Sequence, residues 1–310
     1  AFNQSYDHFL RCAEKKGIEI IIARYTDYSM AKGHVRAGWK LTHGYWEKVG
    51  ETPVEFVYDK FPATDEKTRA IKENLVERGI GIFNDPSLEN FFKDKAATQD
   101  IFPDLVPYTL AVNGTSDEMM AAIEEVRGTN LHTDLSTNEI VMKPRRGHSG
   151  KGIFVIDDNY DILKSKEWQN YIVQPFLETS DGIPELGITG RHDLRVIIAD
   201  GKPRQAYLRM PPEGGYISSM DFGGEIQYVN IEQIPSCFLD VVRTVDSELT
   251  SCKHKLYSID MALGKSGKVW MYELNGKPGQ VWDPSNPEDI EQTQKLHEII
   301  LDTLIKAVNE

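Results

Sequence analysis

In "VWMYELNGKPG", Val269 to Gly279, a carboxylate and an amide stand at alternate positions of a strand-like run. Residues i and i+2 of a strand share a face, so Glu273 and Asn275 offer oxygen ligands side by side. The preceding "YSIDMALGKSGK" reads as the other arm of a hairpin. With Lys265–Lys268 as its loop, Gly264 faces Val269 and Asp260 lies opposite Glu273. Cross-strand neighbours have Cβ atoms roughly 5 Å apart. Two carboxylates that close repel unless a cation or proton lies between them. Oxygen donors without His or Cys suit Mg2+ or Mn2+ rather than zinc. The plain alternative is a strand emerging into solvent.

A second group of chemical residues surrounds the loop Gly147-His148-Ser149-Gly150-Lys151-Gly152, flanked by Lys143, Arg145 and Arg146. Backbone N–H groups freed by glycine can close on phosphate oxygens. The loop joins two strands, which excludes a Walker-type loop or a Rossmann turn, since both lead into a helix. It reads as a polyphosphate flap or as a solvated hairpin. Arg195 and Arg209 lie on the two arms of a hairpin turned at Asp200-Gly201, and Arg195 interrupts the apolar run "LRVIIA". Arginine suits bidentate contact with carboxylate or phosphate.

These residues need a scaffold, and the pattern supplies one. Tyr6–Lys16 reads as a helix stopped by Gly17, followed by strands at "IEIIIARY", "VEFVYDKFP" and "GIFND", with a helix over "DEKTRAIKENLVERG". This alternation predicts a small parallel α/β unit over roughly 1–90, with room for a strand ahead of Ala1. Asp85 and Pro86 would open a helix over "DPSLENFFKDKAATQDIF". Thr115 and Glu118 form a capping box before "MMAAIEEV". Strands at "VPYTLAV" and "NYIVQPFLE", a helix near Ser236–Cys252 and a closing amphipathic helix complete the pattern. The aromatic stretch "RYTDYSMAKGHVRAGWKLTHGYW" either lines an acceptor pocket or packs the first unit.

The 310 residues are enough for about two domains. A net charge of −13 argues against non-specific nucleic-acid binding. No apolar run approaches the ~20 residues that cross a bilayer, and no signal-peptide pattern opens the sequence. Three cysteines, Cys12, Cys237 and Cys252, show no paired spacing, which points to reduced thiols in a cytoplasmic setting.

In order, Asp94-Lys95, "VMKP" at Lys143, "GHSGKG", "VQPFLE" at 173–178, "DLR" at Asp193–Arg195 and "YLRM" at Arg209 form one series. Ser218-Ser219 with Gly223-Gly224, "ID" at Asp260 and "ELNGKPG" at 273–279 complete it. The ordered set resembles the ATP-grasp superfamily, in particular carboxylate–amine ligases such as glutathione synthetase and the ribosomal-protein glutamate ligase. The resemblance implies an α/β (α+β) fold: a substrate-side domain at 1–84, a central lobe with its lid at 85–172 and a metal-bearing lobe at 173–310.

It further implies that Lys95 and Lys143 hold ATP phosphates under a lid containing Gly147, Ser149, Gly150 and Gly152. Gln174, Phe176 and Leu177 would edge adenine, with Glu178 or its rival Glu185 at the ribose. Asp260, Glu273 and Asn275 would bind two Mg2+ ions, or Mn2+. Arg195 and Arg209 would steady the transferred phosphoryl group. The implied reaction joins a small-molecule or peptide carboxylate to an amine through an acyl phosphate. Rival readings are a kinase for small-molecule hydroxyls and a non-catalytic nucleotide-binding module. Dimers are common in the resembling families. His34, His148 and His192 are candidates by location alone.

Overall fold

The computed structural model describes residues 2–310 except 62–65, 87, 89–91, 93, 130–131, 148–149, 158, 166 and 253. Two compact units emerge. The first comprises Ala1–Pro86, Cys252–Leu256 and Lys277–Glu310, and the second comprises Ser87–Ser251 and Tyr257–Gly276. Among the described residues no helix is long and apolar enough to cross a membrane, and all three cysteines are free.

In the first unit, helix α1 (Phe2–Lys15) buries Phe9, Leu10, Cys12 and Ala13 and stops at Gly17, whose φ of +75° suits a residue without Cβ. The predicted strand at 18–25 shrinks to β1 (Ile21–Ile22). It runs antiparallel to β4 (Gly38–Thr42), where a Cβ on Gly38 would sit 2.5 Å from Ile21 Cγ2. Among the described residues of this unit, parallel pairing is confined to β7 (Phe56–Tyr58) and β8 (Gly81–Phe83), which flank α2 (Glu66–Glu77) in the sequence.

The aromatic stretch, for which no strands are expected, forms two small antiparallel sheets. One holds β1, β4 and β5 (Tyr45–Val49), and the other holds β2 (Tyr28–Ser29), β3 (His34–Val35) and β6 (Thr52–Pro53). Four consecutive residues of β5 are exposed, so the alternation that normally marks a strand is missing. The closing helix α6 (Pro287–Asn309) is capped by Asn286, which accepts from Glu288 N at 3.0 Å and Asp289 N at 3.2 Å. Such a cap contributes about 1 kcal/mol. The face of α6 bearing Leu296, Ile300, Leu301 and Leu304 is buried, and α6 packs against α1.

The second unit is built on two sheets. The smaller has the order β11–β10–β12–β9, with β9 at Leu110–Gly114, β10 at Leu135–Pro144, β11 at Phe154–Ile156 and β12 at Trp168–Leu177. Helix α4 (Ser116–Thr129) covers it with Met119, Ile123 and Val126. The expected capping box forms: Glu118 Oε2 accepts from Thr115 N at 2.7 Å, and Glu118 N donates to Thr115 Oγ1 at 3.4 Å.

The larger sheet has the order β15–β14–β13–β16–β17. Its strands are β13 (Asp193–Ala199), β14 (Lys202–Met210), β15 (Glu225–Val229), β16 (Leu256–Leu263) and β17 (Val269–Asn275). The Asp200-Gly201 turn takes φ of +50° and +73° and pairs Ala199 with Lys202, the hairpin that the dipeptide predicts. Helix α5 (Ser236–Glu248) buries Phe238, Val241, Val242 and Val245.

Leu135, Leu177, Ala262 and Trp270 join the two sheets through one apolar cluster. Beside it Asp134 is fully buried, accepting from Ser266 N at 2.6 Å, Ser266 Oγ at 2.7 Å and Trp270 Nε1 at 2.9 Å. Burial alone would raise its pKa, but these bonds outweigh burial and hold it below the usual range.

Candidate active site

The last hairpin aligns Asp260 with Glu273, as the spacing predicts, although the route differs. Leu263, not Gly264, faces Val269, and a register shift between Asp260 and Met261 restores the offset. A bulge of this kind places an extra residue on one strand and re-aims its neighbours. Asn275 pairs with Ser258, so four oxygen-bearing residues meet on two adjacent strands.

Asp260 is only 2 % exposed, and its charge is strongly engaged. Arg195 grips it through two bonds, Nε to Oδ1 and Nη2 to Oδ2, both at 2.6 Å. Arg209 Nη2 donates to Oδ2 at 2.6 Å and also to Asp193. Burial would raise the Asp260 pKa, but the two guanidiniums more than reverse it and keep the carboxylate ionised. Asp193 moves the other way, raised by burial and by the Asp260 charge against the pull of Arg209. The arginines expected to face a phosphoryl group thus hold carboxylates here.

Glu273 meets Lys95, whose Nζ lies 3.0 Å from Oε1 and also donates to the Gly147 carbonyl at 2.9 Å. Lys95 begins helix α3 (Lys95–Ile101), which Asp94 caps by accepting from Ala96 N and Ala97 N. Leu88 and Phe92, in the segment expected to begin the helix at Asp85, are helical as well, and residues 87, 89–91 and 93 of that segment lie outside the described residues. Asp94 Oδ1 also accepts from Arg145 Nε at 2.6 Å, tying the helix start to the strand that leads into the glycine loop. Lys143 on β10 is buried, and burial, then repulsion from Lys95, pushes its pKa down to about 8.

In the glycine loop, Gly150 has φ of +71°, and a Cβ there would lie 2.6 Å from Ile217 Cγ2. Gly152 has φ of +76°, and a Cβ there would lie 3.0 Å from Pro144 Cγ and 3.1 Å from the Tyr171 hydroxyl. Ser149 and His148 lie outside the described residues. On β12, Gln174 Nε2 donates to Thr109 Oγ1 at 2.6 Å, and Leu177 joins the apolar cluster. Phe176 lies under Arg191, whose guanidinium carbon is 5.4 Å from its ring centroid and 4.8 Å from that of Tyr216. Glu178 N donates to the Asp134 carbonyl at 2.8 Å, and Glu178 helps burial raise the pKa of Glu139. Glu185 lines a separate depression with Leu186, Gln227 and Tyr228. His192 is structural, bonding the Gly190 carbonyl through Nδ1 and accepting from Leu263 N through Nε2. His34 lies in the first unit.

Among the described residues, no group of three His, Cys, Asp or Glu side chains could hold a metal ion. Asp260, Glu273 and the Asn275 amide nevertheless fit a hard cation by donor type. A carboxylate offers about four acceptor positions, and Asp260 uses three on the arginines. In the same wall, Ser258 Oγ and Asp193 Oδ1 are buried polar atoms without a hydrogen-bond partner. Asp94, Arg145, Asp193, Arg191 and Ser258 are site residues not assigned from sequence. Of these, Asp94 carries a sequence signal in "DK", Arg145 as a cation flanking the glycine loop and Asp193 in "DLR"; Arg191 and Ser258 carry none.

A family model for the ATP-grasp domain of prokaryotic glutathione synthetase matches residues 98–265. No curated protein matches the chain. Among solved structures, D-cycloserine synthetase DcsG is similar at 15 % identity and a TM-score of 0.63, over 98 % of this chain and 95 % of that one. A RimK-domain ATP-grasp protein from Sphaerobacter thermophilus is similar at 12 % identity and a TM-score of 0.63, over 96 % and 94 %. A RiPP-associated ATP-grasp ligase from Chryseobacterium gregarium, in complex with ADP and a leader and core peptide, is similar at 15 % and 0.60, over 99 % and 94 %. At these identities the likeness shows the shared fold.

Proposed function

The chain belongs to the ATP-grasp family of the prokaryotic glutathione synthetase type, ATP-dependent and ADP-forming ligases, and from that premise we propose that it joins a carboxylate to an amine through an acyl phosphate. One observation carries the reading. Lys95, Lys143, Glu273, Asp260 and both arginines form a single charged wall beside the glycine loop.

In this reading a substrate carboxylate oxygen attacks the γ-phosphorus and ADP leaves. The amine nitrogen then attacks the acyl carbon, phosphate leaves and the nitrogen loses a proton. A carboxylate resists amines because of its own charge, and phosphorylation gives it a leaving group. The protein's task is positioning and charge neutralisation. Lys143, held in a buried site, and Lys95, shared between Glu273 and the lid carbonyl, would bind phosphate oxygens. The Gln174–Leu177 backbone would edge the adenine, with Glu178 at the ribose. Arg195 and Arg209, anchored on Asp260 and Asp193, would present their remaining N–H groups to the phosphoryl oxygens. The lid would exclude water from the acyl phosphate. Asp260, Glu273 and Asn275 would hold two Mg2+ ions, which neutralise charge on the triphosphate.

An amino acid, a small biosynthetic acid or a peptide would serve as substrate; the peptide seen in the Chryseobacterium ligase supports including the last. The test supplies ATP, Mg2+ and carboxylate–amine pairs, with 18O in the carboxylate. Label in released phosphate, together with an amide of the expected mass, supports the reading. Phosphate retained on a hydroxyl acceptor makes the protein a kinase, and nucleotide binding without ADP formation makes it a binding module.

A further inference from the structure

In the second unit one arginine is fixed by aromatic rings. Arg191 stands two residues ahead of β13, whose first residue, Asp193, belongs to the charged wall. Its guanidinium carbon is 4.8 Å from the Tyr216 ring centroid and 5.4 Å from that of Phe176. The two rings meet edge to face at 5.3 Å, so the three groups brace one another. Arg191 Nε is buried and has no hydrogen-bond partner among the described residues.

Two carboxylates stand within electrostatic reach of it. Glu139 lies on β10 where the register against β12 shifts between Leu135 and Ile140, an irregularity of the kind that re-aims a side chain. Glu178 directly follows β12. Burial and then Glu178 raise the Glu139 pKa, and Arg191 pulls it down. The Tyr216 hydroxyl donates to Glu139 Oε1 at 3.4 Å. Yet among the described residues no ion pair joins Arg191 to either carboxylate. An arginine needed only as a counter-ion would close on Glu139 or Glu178 and satisfy both partners. Leaving a buried donor unpaired costs stability, and the two rings hold it in that state. A ligand that completes the set must accept from the guanidinium and donate to a carboxylate. A phosphate meets only the first demand, and an ammonium only the second. A hydroxyl meets both.

We infer that Arg191 is a specificity-determining residue of the nucleotide site: its guanidinium donates to a ribose hydroxyl, which in turn donates to Glu178 or Glu139. Placing a nucleotide here rests on the ligase reading, which sets Glu178 at the ribose. Tyr216 and Phe176 hold the planar fork in one orientation, so that a single hydroxyl is read. The same contact ties recognition of the sugar to the glycine loop, because Ile217, next to Tyr216, is the residue that a Cβ on Gly150 would meet at 2.6 Å.

The test measures, by calorimetry on the full chain with Mg2+, the affinities for ADP, 2′-deoxy-ADP and 3′-deoxy-ADP. In the wild type one deoxy analogue should bind about ten- to a hundredfold more weakly than ADP, the range for one lost charged hydrogen bond, and that analogue identifies the hydroxyl. In Arg191→Met the ratio should shrink about tenfold, with ADP weakened and the analogue's own affinity little changed. Arg191→Lys keeps the charge without the planar fork; it should lose part of the ratio, and it replaces the first variant if that one does not fold. The inference is overturned if the wild type binds all three nucleotides alike, or if the folded variant keeps the wild-type ratio. Equal weakening of all three nucleotides makes the arginine merely structural, which also overturns it. A discriminating chain that forms no ADP with any carboxylate–amine pair defeats the ligase reading alone. Nucleotide binding without discrimination defeats this inference alone, and a chain that binds no nucleotide defeats both.

Discussion

Asp260→Asn separates the two tasks assigned to that residue, holding arginines and holding a cation. Asp193 and Asp260 balance Arg195 and Arg209, and all four are largely buried. Neutralising Asp260 leaves two guanidiniums facing one carboxylate. Breaking a buried pair from one side costs about 3–5 kcal/mol. At roughly 2–4 °C per kcal/mol for a domain of this size, Tm should fall by about 6–20 °C. Arg195→Met in the same chain removes the stranded charge and should restore about half of that loss or more. Magnesium dependence should not follow. Calorimetry of ADP binding with and without Mg2+ should show a metal-dependent gain in affinity for the wild type and little or none for either variant. The reasoning is refuted if Asp260→Asn keeps the metal-dependent gain, or if the double variant recovers it along with stability.

Three other outcomes follow from the same geometry. A Lys143 pKa moved from 10.5 to about 8 corresponds to roughly 3 kcal/mol against the charged form, so Lys143→Met should raise stability at pH 7 by up to that amount while weakening ATP binding tenfold or more; a destabilised variant with normal ATP affinity refutes it. Gly150→Ala combines a positive φ with a 2.6 Å approach to Ile217, so kcat for ADP formation should fall about tenfold or more with little change in Tm, and an unchanged kcat would remove the lid from the mechanism. His297 is buried, with a pKa lowered to about 4, first by burial. Its unfolded value is near 6.5, so the unfolded chain binds more protons between these values, and stability present above pH 6.5 is lost as pH falls toward 4, by up to about 3 kcal/mol. Urea midpoints from pH 7 to 4.5 should drop less steeply in His297→Gln, and parallel curves would contradict the assignment.

Local chemistry was legible wherever neighbouring residues decide it. The Asp200-Gly201 turn, the Thr115–Glu118 box and the pairing of β16 with β17 all depend on spacings within a few residues. The Asp260–Glu273 alignment shows the limit, since the loop was one residue longer than assumed and the bulge compensated. Partnerships between distant segments left no periodic trace. Arg195 reaches across 65 positions to Asp260, and Arg145 across 51 to Asp94. Only the fold brings such residues together, so the arginines read as phosphate contacts although the structure also uses them as counter-ions. In the first unit, the exposed β5 carries no alternating pattern because neither face is covered.

The interleaved segments of the first unit bear on synthesis. Translation delivers every strand of the second unit by Gly276, whereas the first unit receives α6 only afterwards. Until then the hydrophobic stripe of α1 around Phe9 and Leu10 lacks its cover, a sticky surface on the nascent chain. Deleting 287–310 should therefore yield a polypeptide whose nucleotide-binding half matures while its amino-terminal half stays dependent on chaperones.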